Sequence, residues 1–132
     1  MSKAAILCLD DEPVGVAIRA ALLRHAGYDV FPATSAQVAL QILAEQQIDV
    51  VVSDYLLEDT TGTQVAASMK QIKPDVPVVI LSGLIEEPEG MELVELFLSK
   101  AEPPQVFLAN ISKLLADRKQ AVCAVVKDRG IA

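Results

Sequence analysis

Apolar residues in this chain fall into short, nearly continuous runs, and most of the runs stop at a polar or charged residue. A run that is apolar at nearly every position is typical of a strand buried on both faces of a parallel sheet. The pattern predicts five strands, over residues 4–9, 28–31, 50–53, 76–81 and 96–99. The second strand is expected to end at Pro32, because proline cannot donate a hydrogen bond to a sheet.

The segments between the strands have apolar residues three or four positions apart, which predicts amphipathic helices. The first helix is expected to begin at Pro13 and to end near Gly27. Val14 and Ile18 lie on its predicted apolar face. The prolines at 103–104 open the last helix, whose extent beyond residue 118 the pattern leaves ambiguous.

Strands and helices alternate along the chain, and no hairpin signal separates consecutive strands. This order predicts an α/β protein with a doubly wound, five-stranded parallel sheet of the flavodoxin-like kind. The fourth helix is the exception, because the segment before the fifth strand contains Pro88 and Gly90 and should hold a short or irregular helix. Ligands of such sheets bind beyond the carboxyl ends of the strands.

Polar side chains with a shared chemistry follow those strand ends. Asp10 and Asp11 follow the first strand, Asp54 the third, Ser82 the fourth and Lys100 the fifth. Neighbouring carboxylates repel one another, and a hard divalent cation such as Mg²⁺ relieves that repulsion. A hydroxyl and an ammonium group supply the hydrogen-bond donor and the positive charge that a phosphoryl group needs.

Composition narrows the class of protein. The chain has 132 residues and a formal net charge of −7, which argues against a general nucleic-acid binder. No apolar stretch is long enough to span a membrane and the N-terminus lacks the layout of a signal peptide, so a single-domain cytoplasmic protein is expected. Cys8 and Cys123 lie far apart in sequence and are expected to be small hydrophobic residues.

The chain resembles the receiver domain of two-component response regulators over about residues 4–117. The resemblance rests on four motifs in order, each at the end of a predicted strand: Asp-Asp-Glu-Pro at 10–13, Val-Val-Val-Ser-Asp at 50–54, Val-Val-Ile-Leu-Ser-Gly at 78–83 and Phe-Leu-Ser-Lys at 97–100. Gly62, eight positions after Asp54, also matches.

The resemblance implies a role for each site residue. Asp54 would be the phosphoacceptor, attacking the phosphorus of a phosphohistidine in line. Asp11 would ligate Mg²⁺ directly and Asp10 through water, and Asp54 and the main-chain carbonyl of Leu56 would complete the protein ligands.

Three further residues would respond to the phosphoryl group. Ser82 and Lys100 would bind its oxygens, and Phe97 would move when Ser82 is drawn toward it. Such a protein catalyses only its own phosphorylation and slow dephosphorylation, so it is not expected to be an enzyme in the ordinary sense.

Each residue also has a plainly structural interpretation. Asp54 could cap a loop, and Asp10 and Asp11 could favour the N-terminus of the following helix. Ser82 could be a turn residue and Lys100 a solvated lysine. Phe97 is as readily a core residue as a switch.

Departures from the family pattern change the expectations for three segments. Leu57 and Glu58 stand where receivers usually have Met-Pro. Ala101 follows Lys100 in place of the usual proline, so a trans peptide bond is expected. Only 14 residues separate Ser82 from Phe97, five of them glutamates, which suggests either an unusual partner surface or a solvated acidic loop.

Two leucines close to the predicted site residues indicate that the phosphorylated state would be long-lived. Leu56 and Leu84 stand two positions after Asp54 and Ser82, where family members with polar side chains help to orient the attacking water. Leucine makes no such hydrogen bond and could shield the acyl phosphate, so slow self-dephosphorylation is expected.

The function that follows is a phosphorylation-dependent signalling receiver over residues 1–118, with 119–132 as a tail or an extension of the last helix. A histidine kinase or phosphotransfer protein is the expected donor, and an unknown downstream protein the expected target, with no nucleic acid and no membrane insertion. Because the segment after the receiver is too short for an output domain, a stand-alone receiver is expected; a homodimer stays open.

The alternative is a pseudo-receiver that switches without phosphorylation. An aspartyl phosphatase is disfavoured, because Leu56 stands where that class usually has its second acid.

Overall fold

A computed structural model describes residues 3–83 and 89–128 of the chain. The chain divides into two compact units, Met1–Glu102 and Pro103–Ala132. The first unit contains the sheet and three α-helices, and the second contains a single long helix.

The first unit is built on a five-stranded sheet with the strand order β2-β1-β3-β4-β5, in which every pair of neighbours is parallel. The sheet order confirms the doubly wound topology expected from the alternation of strands and helices. The strands are β1 (Ala5–Leu9), β2 (Asp29–Ala33), β3 (Val50–Asp54), β4 (Val78–Ser82) and β5 (Leu96–Ser99).

Burial explains why the apolar runs predicted the strands so well. Every residue of β1, β3 and β4 is buried, as expected for central strands covered on both faces. The edge strand β2 is only partly buried and runs through Pro32 to Ala33, so the predicted end at Pro32 is wrong. An edge strand tolerates proline because it has a side on which no neighbouring strand needs its N–H group.

Three helices connect the strands of the first unit: α1 (Pro13–His25), α2 (Ala36–Glu45) and α3 (Gly62–Ile72). The hydroxyl of Ser35 accepts a hydrogen bond from the Val38 N–H at 3.2 Å and caps α2. Thr61 and Gln64 form a capping box at the start of α3. Gly27, just beyond α1, has a φ of +103°, a conformation that glycine adopts without strain.

The buried face of α1 differs from the predicted one. Val14 and Ile18 are 70% and 66% exposed, so their assignment to the apolar face is wrong. The buried residues of this helix are Val16, Ala20 and Leu23, which are spaced by four and three positions. The helix is therefore rotated relative to the orientation that its largest apolar residues suggested.

The segment between β4 and β5 contains a single short 3₁₀ turn, Met91–Leu93, among residues 89–95. The fourth helix of the expected architecture is reduced to this turn in the described part of the segment. Residues 84–88, including Leu84, Glu86 and Glu87, lie outside the described residues. The carboxylate of Glu95 accepts a hydrogen bond from the Val78 N–H at 2.6 Å and pairs with Lys70, so this glutamate has a structural role.

The second unit is the helix α4 (Pro104–Asp128), which begins at the second proline of the pair. The backbone continues as a helix past residue 118, whereas the proposed domain boundary there stays a prediction. Among the described residues, no helix is both long and apolar enough to cross a membrane.

Candidate functional site

Three carboxylates meet at the carboxyl edge of the sheet. Asp10 and Asp11 follow β1, and Asp54 is the last residue of the neighbouring strand β3. One carboxylate oxygen from each of the three lies within 4.8 Å of the others. Asp10 and Asp54 are buried and Asp11 is half-buried. The structure therefore brings together the three acids that the strand ends predicted.

Asp10 is held by contacts on both of its carboxylate oxygens. Oδ1 accepts a hydrogen bond from the Glu12 N–H at 3.0 Å. Oδ2 accepts one from the guanidinium of Arg19 at 3.3 Å, which forms an ion pair across the first turns of α1. The Asp10 N–H donates to the carbonyl of Ala33 at 3.1 Å and so ties the end of β1 to the end of β2.

Arg19 belongs to the site but was not among its predicted residues. Its side chain is only 15% exposed and lies on the same stripe of α1 as Val16, Ala20 and Leu23. A charged residue on a buried stripe needs a partner, because an unpaired buried charge is costly. This pattern was the available signal, but the expected orientation of α1 concealed it.

Asp54 is in contact with Lys100, the residue that follows β5. Lys100 Nζ lies 2.6 Å from Asp54 Oδ1. The contact is an ion pair between the lysine ammonium and the aspartate carboxylate. The Lys100 N–H donates to the carbonyl of Ser82 at 2.8 Å, which fixes the lysine backbone against the end of β4.

The pKa of the Asp54 carboxyl is determined mainly by its burial. Burial raises the pKa of the Asp54 carboxyl above its ordinary value, and the charge of Asp10 raises it further. The contact with Lys100 and the charge of Arg19 oppose this, but the pKa remains raised. Burial therefore disfavours the charged form of Asp54 by more than Lys100 and Arg19 favour it.

Ser82 and Lys100 line a small cavity beside Asp54. It has a volume of about 80 Å³, and its other walls are Leu56, Leu81 and Gly83. Ser82 is buried, whereas the side chain of Leu56 is 65% exposed. The predicted hydroxyl and ammonium groups therefore share one cavity, with an apolar side chain at its rim.

Phe97 lies in β5 opposite Ile80 of β4 and is partly buried against the hydrophobic core. This position is compatible with both interpretations of the residue, as a core side chain and as a switch.

The loop after Asp54 is short and closed by its own backbone. The Leu57 N–H donates to the carbonyl of Thr60 at 3.2 Å, and the Gly62 N–H donates to the carbonyl of Tyr55 at 2.7 Å. A Cβ atom on Gly62 would lie 2.4 Å from the backbone oxygen of Asp54, so the close approach requires glycine. Hydrogen bonds thus hold the loop in which the expected proline is missing.

The turn after β5 begins with an ordinary peptide bond. No peptide bond is cis in the described residues, so the predicted trans geometry between Lys100 and Ala101 is confirmed. The hydroxyl of Ser99 accepts a hydrogen bond from the Ala101 N–H at 3.1 Å. The lysine is thus placed by a hydrogen-bonded turn without proline.

The donor set fits a hard divalent cation. Asp10, Asp11 and Asp54 offer carboxylate oxygens within reach of one another, which is the ligand type that Mg²⁺ prefers. The nearby Cys8 is fully buried, and burial raises the pKa of its thiol to about 11. It therefore remains a neutral thiol at physiological pH and does not turn the site into one for a softer metal.

The fold and the site together define a class of protein. A parallel sheet of this order, with acids at the ends of β1 and β3 and with Ser82 and Lys100 at the ends of the next two strands, is the arrangement of a signalling receiver. The family model described as the response regulator receiver domain matches residues 6–112. The chain belongs to this family, which confirms the resemblance found in the sequence.

Two curated relatives are transcriptional regulatory proteins. The chain is 32% identical over 80 residues to the transcriptional regulatory protein GlrR of Escherichia coli K12, covering 61% of this chain and 18% of the relative. It is 26% identical over 116 residues to the phosphate regulon transcriptional regulatory protein PhoB of Pseudomonas aeruginosa, covering 83% of this chain and 51% of the relative. The chain thus spans about half or less of the length of these relatives.

Solved structures agree with the fold. A CheY-like receiver domain protein of Methanospirillum hungatei superposes with a TM-score of 0.84 at 20% identity, covering 91% of this chain and 99% of that one. A receiver domain protein of Clostridium thermocellum gives 0.78 at 26% identity, covering 89% and 98%. The response regulator TrrA of Thermotoga maritima, solved in complex with Mg²⁺-BeF, gives 0.78 at 21% identity, covering 84% and 98%.

Proposed function

We propose that this chain is a phosphorylation-dependent receiver in which Asp54 accepts a phosphoryl group from a phosphohistidine donor. The observation that carries the proposal is the meeting of Asp10, Asp11 and Asp54 within 4.8 Å, with Lys100 Nζ 2.6 Å from the Asp54 carboxylate. Positioning and charge neutralisation are most of what phosphoryl transfer requires of a protein.

Mg²⁺ would be held by the carboxylates of Asp11 and Asp54 and the main-chain carbonyl of Leu56, with Asp10 acting through water. When bound, it supplies positive charge that neutralises the acids and the phosphoryl oxygens. Lys100 and Ser82, which line one cavity, would bind two phosphoryl oxygens.

Transfer forms a bond between an Asp54 carboxylate oxygen and phosphorus. The bond between phosphorus and the donor's imidazole nitrogen breaks, and that nitrogen keeps the electron pair. The Lys100 ammonium has three N–H donors, so it would turn one of them from Asp54 Oδ1 toward an oxygen of the arriving phosphoryl group. Its side chain is 42% exposed, so it has room to move.

Signalling would follow from new contacts at the phosphoryl group, which shift the population of conformations near Ser82 and Phe97. The proposed partners are a histidine kinase or phosphotransfer protein upstream and a protein target downstream. A net charge of −7 supports a protein target rather than a nucleic acid. We place the receiver at residues 1–118 and the protein in the cytoplasm.

Beryllofluoride or acetyl phosphate with Mg²⁺ tests the proposal. The expected results are a saturable conformational response to beryllofluoride and, with acetyl phosphate, the mass increase of one phosphoryl group. Asp54→Asn should abolish both, whereas Asp59→Asn should retain them, because Asp59 is an exposed acid in the same loop. Labelling that survives in Asp54→Asn would refute Asp54 as the acceptor.

The same experiment separates the pseudo-receiver alternative. That alternative draws support from the two missing prolines and from the single 3₁₀ turn described before β5. A wild-type protein that neither responds to beryllofluoride nor gains mass, and that signals unchanged as Asp54→Asn, would favour it.

A further inference from the structure

The ion pair between Arg19 and Asp10 places a second cation in the acidic cluster. The guanidinium lies 3.3 Å from Asp10 Oδ2, while the Glu12 N–H occupies Oδ1 at 3.0 Å. The side chain of Asp10 is only 4% exposed. The protein therefore satisfies both oxygens of a proposed metal-site residue from its own groups.

The helix α1 makes room for this pair. A Cβ atom on Gly15 would lie 2.7 Å from Asp10 Oδ2, so a side chain at this position would displace the oxygen that Arg19 contacts. Glycine inside a helix is less favourable than alanine, so its presence here is explained by the space that Asp10 needs. Gly15 and Arg19 are four positions apart, about one turn of the helix. Gly15 leaves space for the same carboxylate oxygen that Arg19 contacts.

Arg19 is one of two cations that contact the acidic cluster. With Lys100 on Asp54, two cations of the chain stand against three carboxylates. Lys100 is 42% exposed and has room to move, whereas Arg19 is 15% exposed and held in place by the helix.

We infer that Arg19 is a positioning residue that holds Asp10 in competition with Mg²⁺ and so keeps the metal affinity below what the three acids alone would give. The inference rests on the proposed Mg²⁺ site. A fixed positive charge beside one carboxylate repels an incoming divalent cation and lessens the repulsion that the cation would relieve. Arg19 thereby keeps the acidic site folded without metal and makes metal binding weaker.

Calorimetric titration of the full chain with Mg²⁺ tests this inference. Arg19→Met should bind Mg²⁺ about tenfold more tightly than the wild type. The substitution removes a positive charge that lies a few Å from the bound ion and repels it, and solvent screens only part of that repulsion. Arg19→Gln removes the charge but keeps an N–H donor, and should shift the affinity in the same direction. Arg19→Lys should restore an affinity near that of the wild type.

Arg24→Met is the matched control. It removes one positive charge from the same helix, but the Arg24 guanidinium donates to the carbonyl of Val30 and, in the described part of the chain, pairs with none of the three acids. Its Mg²⁺ affinity should equal that of the wild type. If Arg24→Met gained as much Mg²⁺ affinity as Arg19→Met, the effect would come from net charge in general, and the inference would be overturned.

Thermal unfolding gives a readout that does not depend on activity. In EDTA, Arg19→Met should unfold at a lower temperature than the wild type, because a buried carboxylate loses its partner. Saturating Mg²⁺ should then raise its midpoint by more than it raises that of the wild type. A merely structural arginine would give the first effect without the second.

The outcomes separate the inference from the proposed function. If the wild type binds Mg²⁺ and Arg19→Met and Arg19→Gln bind it equally or more weakly, the inference is wrong and the proposed function stands. If the wild type and both variants fail to bind Mg²⁺, the proposed metal site is refuted together with the inference.

Discussion

Lys100 Nζ lies 2.6 Å from Asp54 Oδ1, although the two residues belong to strand ends that are not adjacent in the sheet. The lysine reaches past the end of β4, where its own N–H donates to the carbonyl of Ser82. The cation proposed to bind a phosphoryl oxygen therefore already contacts the proposed nucleophile.

Removing this cation should slow phosphorylation. Lys100→Met is expected to lower the rate of labelling by acetyl phosphate by about 100-fold, the usual order for loss of a charge-stabilising donor. Mass spectrometry at timed intervals measures the rate. Lys113→Met removes an exposed lysine of α4 and should label at the wild-type rate. Equal rates in the two variants would rule out the proposed role of Lys100.

The raised pKa of Asp54 predicts a pH-dependent stability. Because the folded pKa lies above the ordinary value of 3.8, the folded state binds more protons than the unfolded state as pH rises from that value through the folded pKa. The free energy of unfolding should therefore fall over that window and then stop falling on account of this group. Urea titrations in EDTA across the acidic range measure it.

Asp54→Asn should remove this contribution. The variant is expected to be more stable than the wild type at neutral pH in EDTA, since the amide is not charged and the partly exposed Lys100 loses little by losing its partner. The advantage should shrink as pH falls from the raised folded pKa of Asp54 toward the ordinary value of 3.8, and should change little below it. A variant less stable than the wild type at neutral pH would contradict the stated balance of burial and ion pairing.

Gly62 should tolerate no side chain. In Gly62→Ala, the added Cβ would lie 2.4 Å from the Asp54 backbone oxygen and 2.9 Å from Ile80 Cδ1. We expect a loss of about 2–3 kcal/mol in the free energy of unfolding, typical of overpacking in a core. Gly83→Ala is the control, because a Cβ there meets no atom of the described residues within 4 Å and should change stability little.

Leu56 should lengthen the life of the phosphorylated state. Its exposed side chain stands at the rim of the cavity shared by Ser82 and Lys100. Leu56→Asn would place a hydrogen-bonding group where an attacking water could be oriented, and should speed the loss of phosphate by about 10-fold or more. Leu93→Asn changes another exposed leucine, outside this cavity, and should leave the rate unchanged. An unaltered rate in Leu56→Asn would remove the shielding hypothesis.

Much of the site could be predicted because parallel strands align their carboxyl ends. Asp10, Asp54, Ser82 and Lys100 each follow an apolar run, so knowing the sheet places them at one edge. The chemical roles came from the family resemblance, which the match over residues 6–112 confirms at the level of the family. The individual roles remain proposals that the variants above can test.

The orientation of α1 could not be predicted in the same way. Val14 and Ile18 are large and apolar, yet they are exposed, while the smaller Ala20 is buried. The apolar residues of α1 are spread around the helix, so their spacing is compatible with more than one buried face. Packing against the sheet determines which face is buried. The pairing of Arg19 with Asp10 and the space left by Gly15 follow from that selection.

The apolar runs and the polar residues that end them were enough to predict the sheet and the acids at its edge, because central strands are apolar on both faces and the chain turns polar where they end. Packing between elements determines which side chains at that edge touch one another and which reach it from a helix. Lys100 reaches Asp54 across β4, and Arg19 reaches Asp10 from α1, and both contacts depend on distances between elements that no local pattern encodes. The charge balance of the site is therefore a property of packing rather than of any single motif.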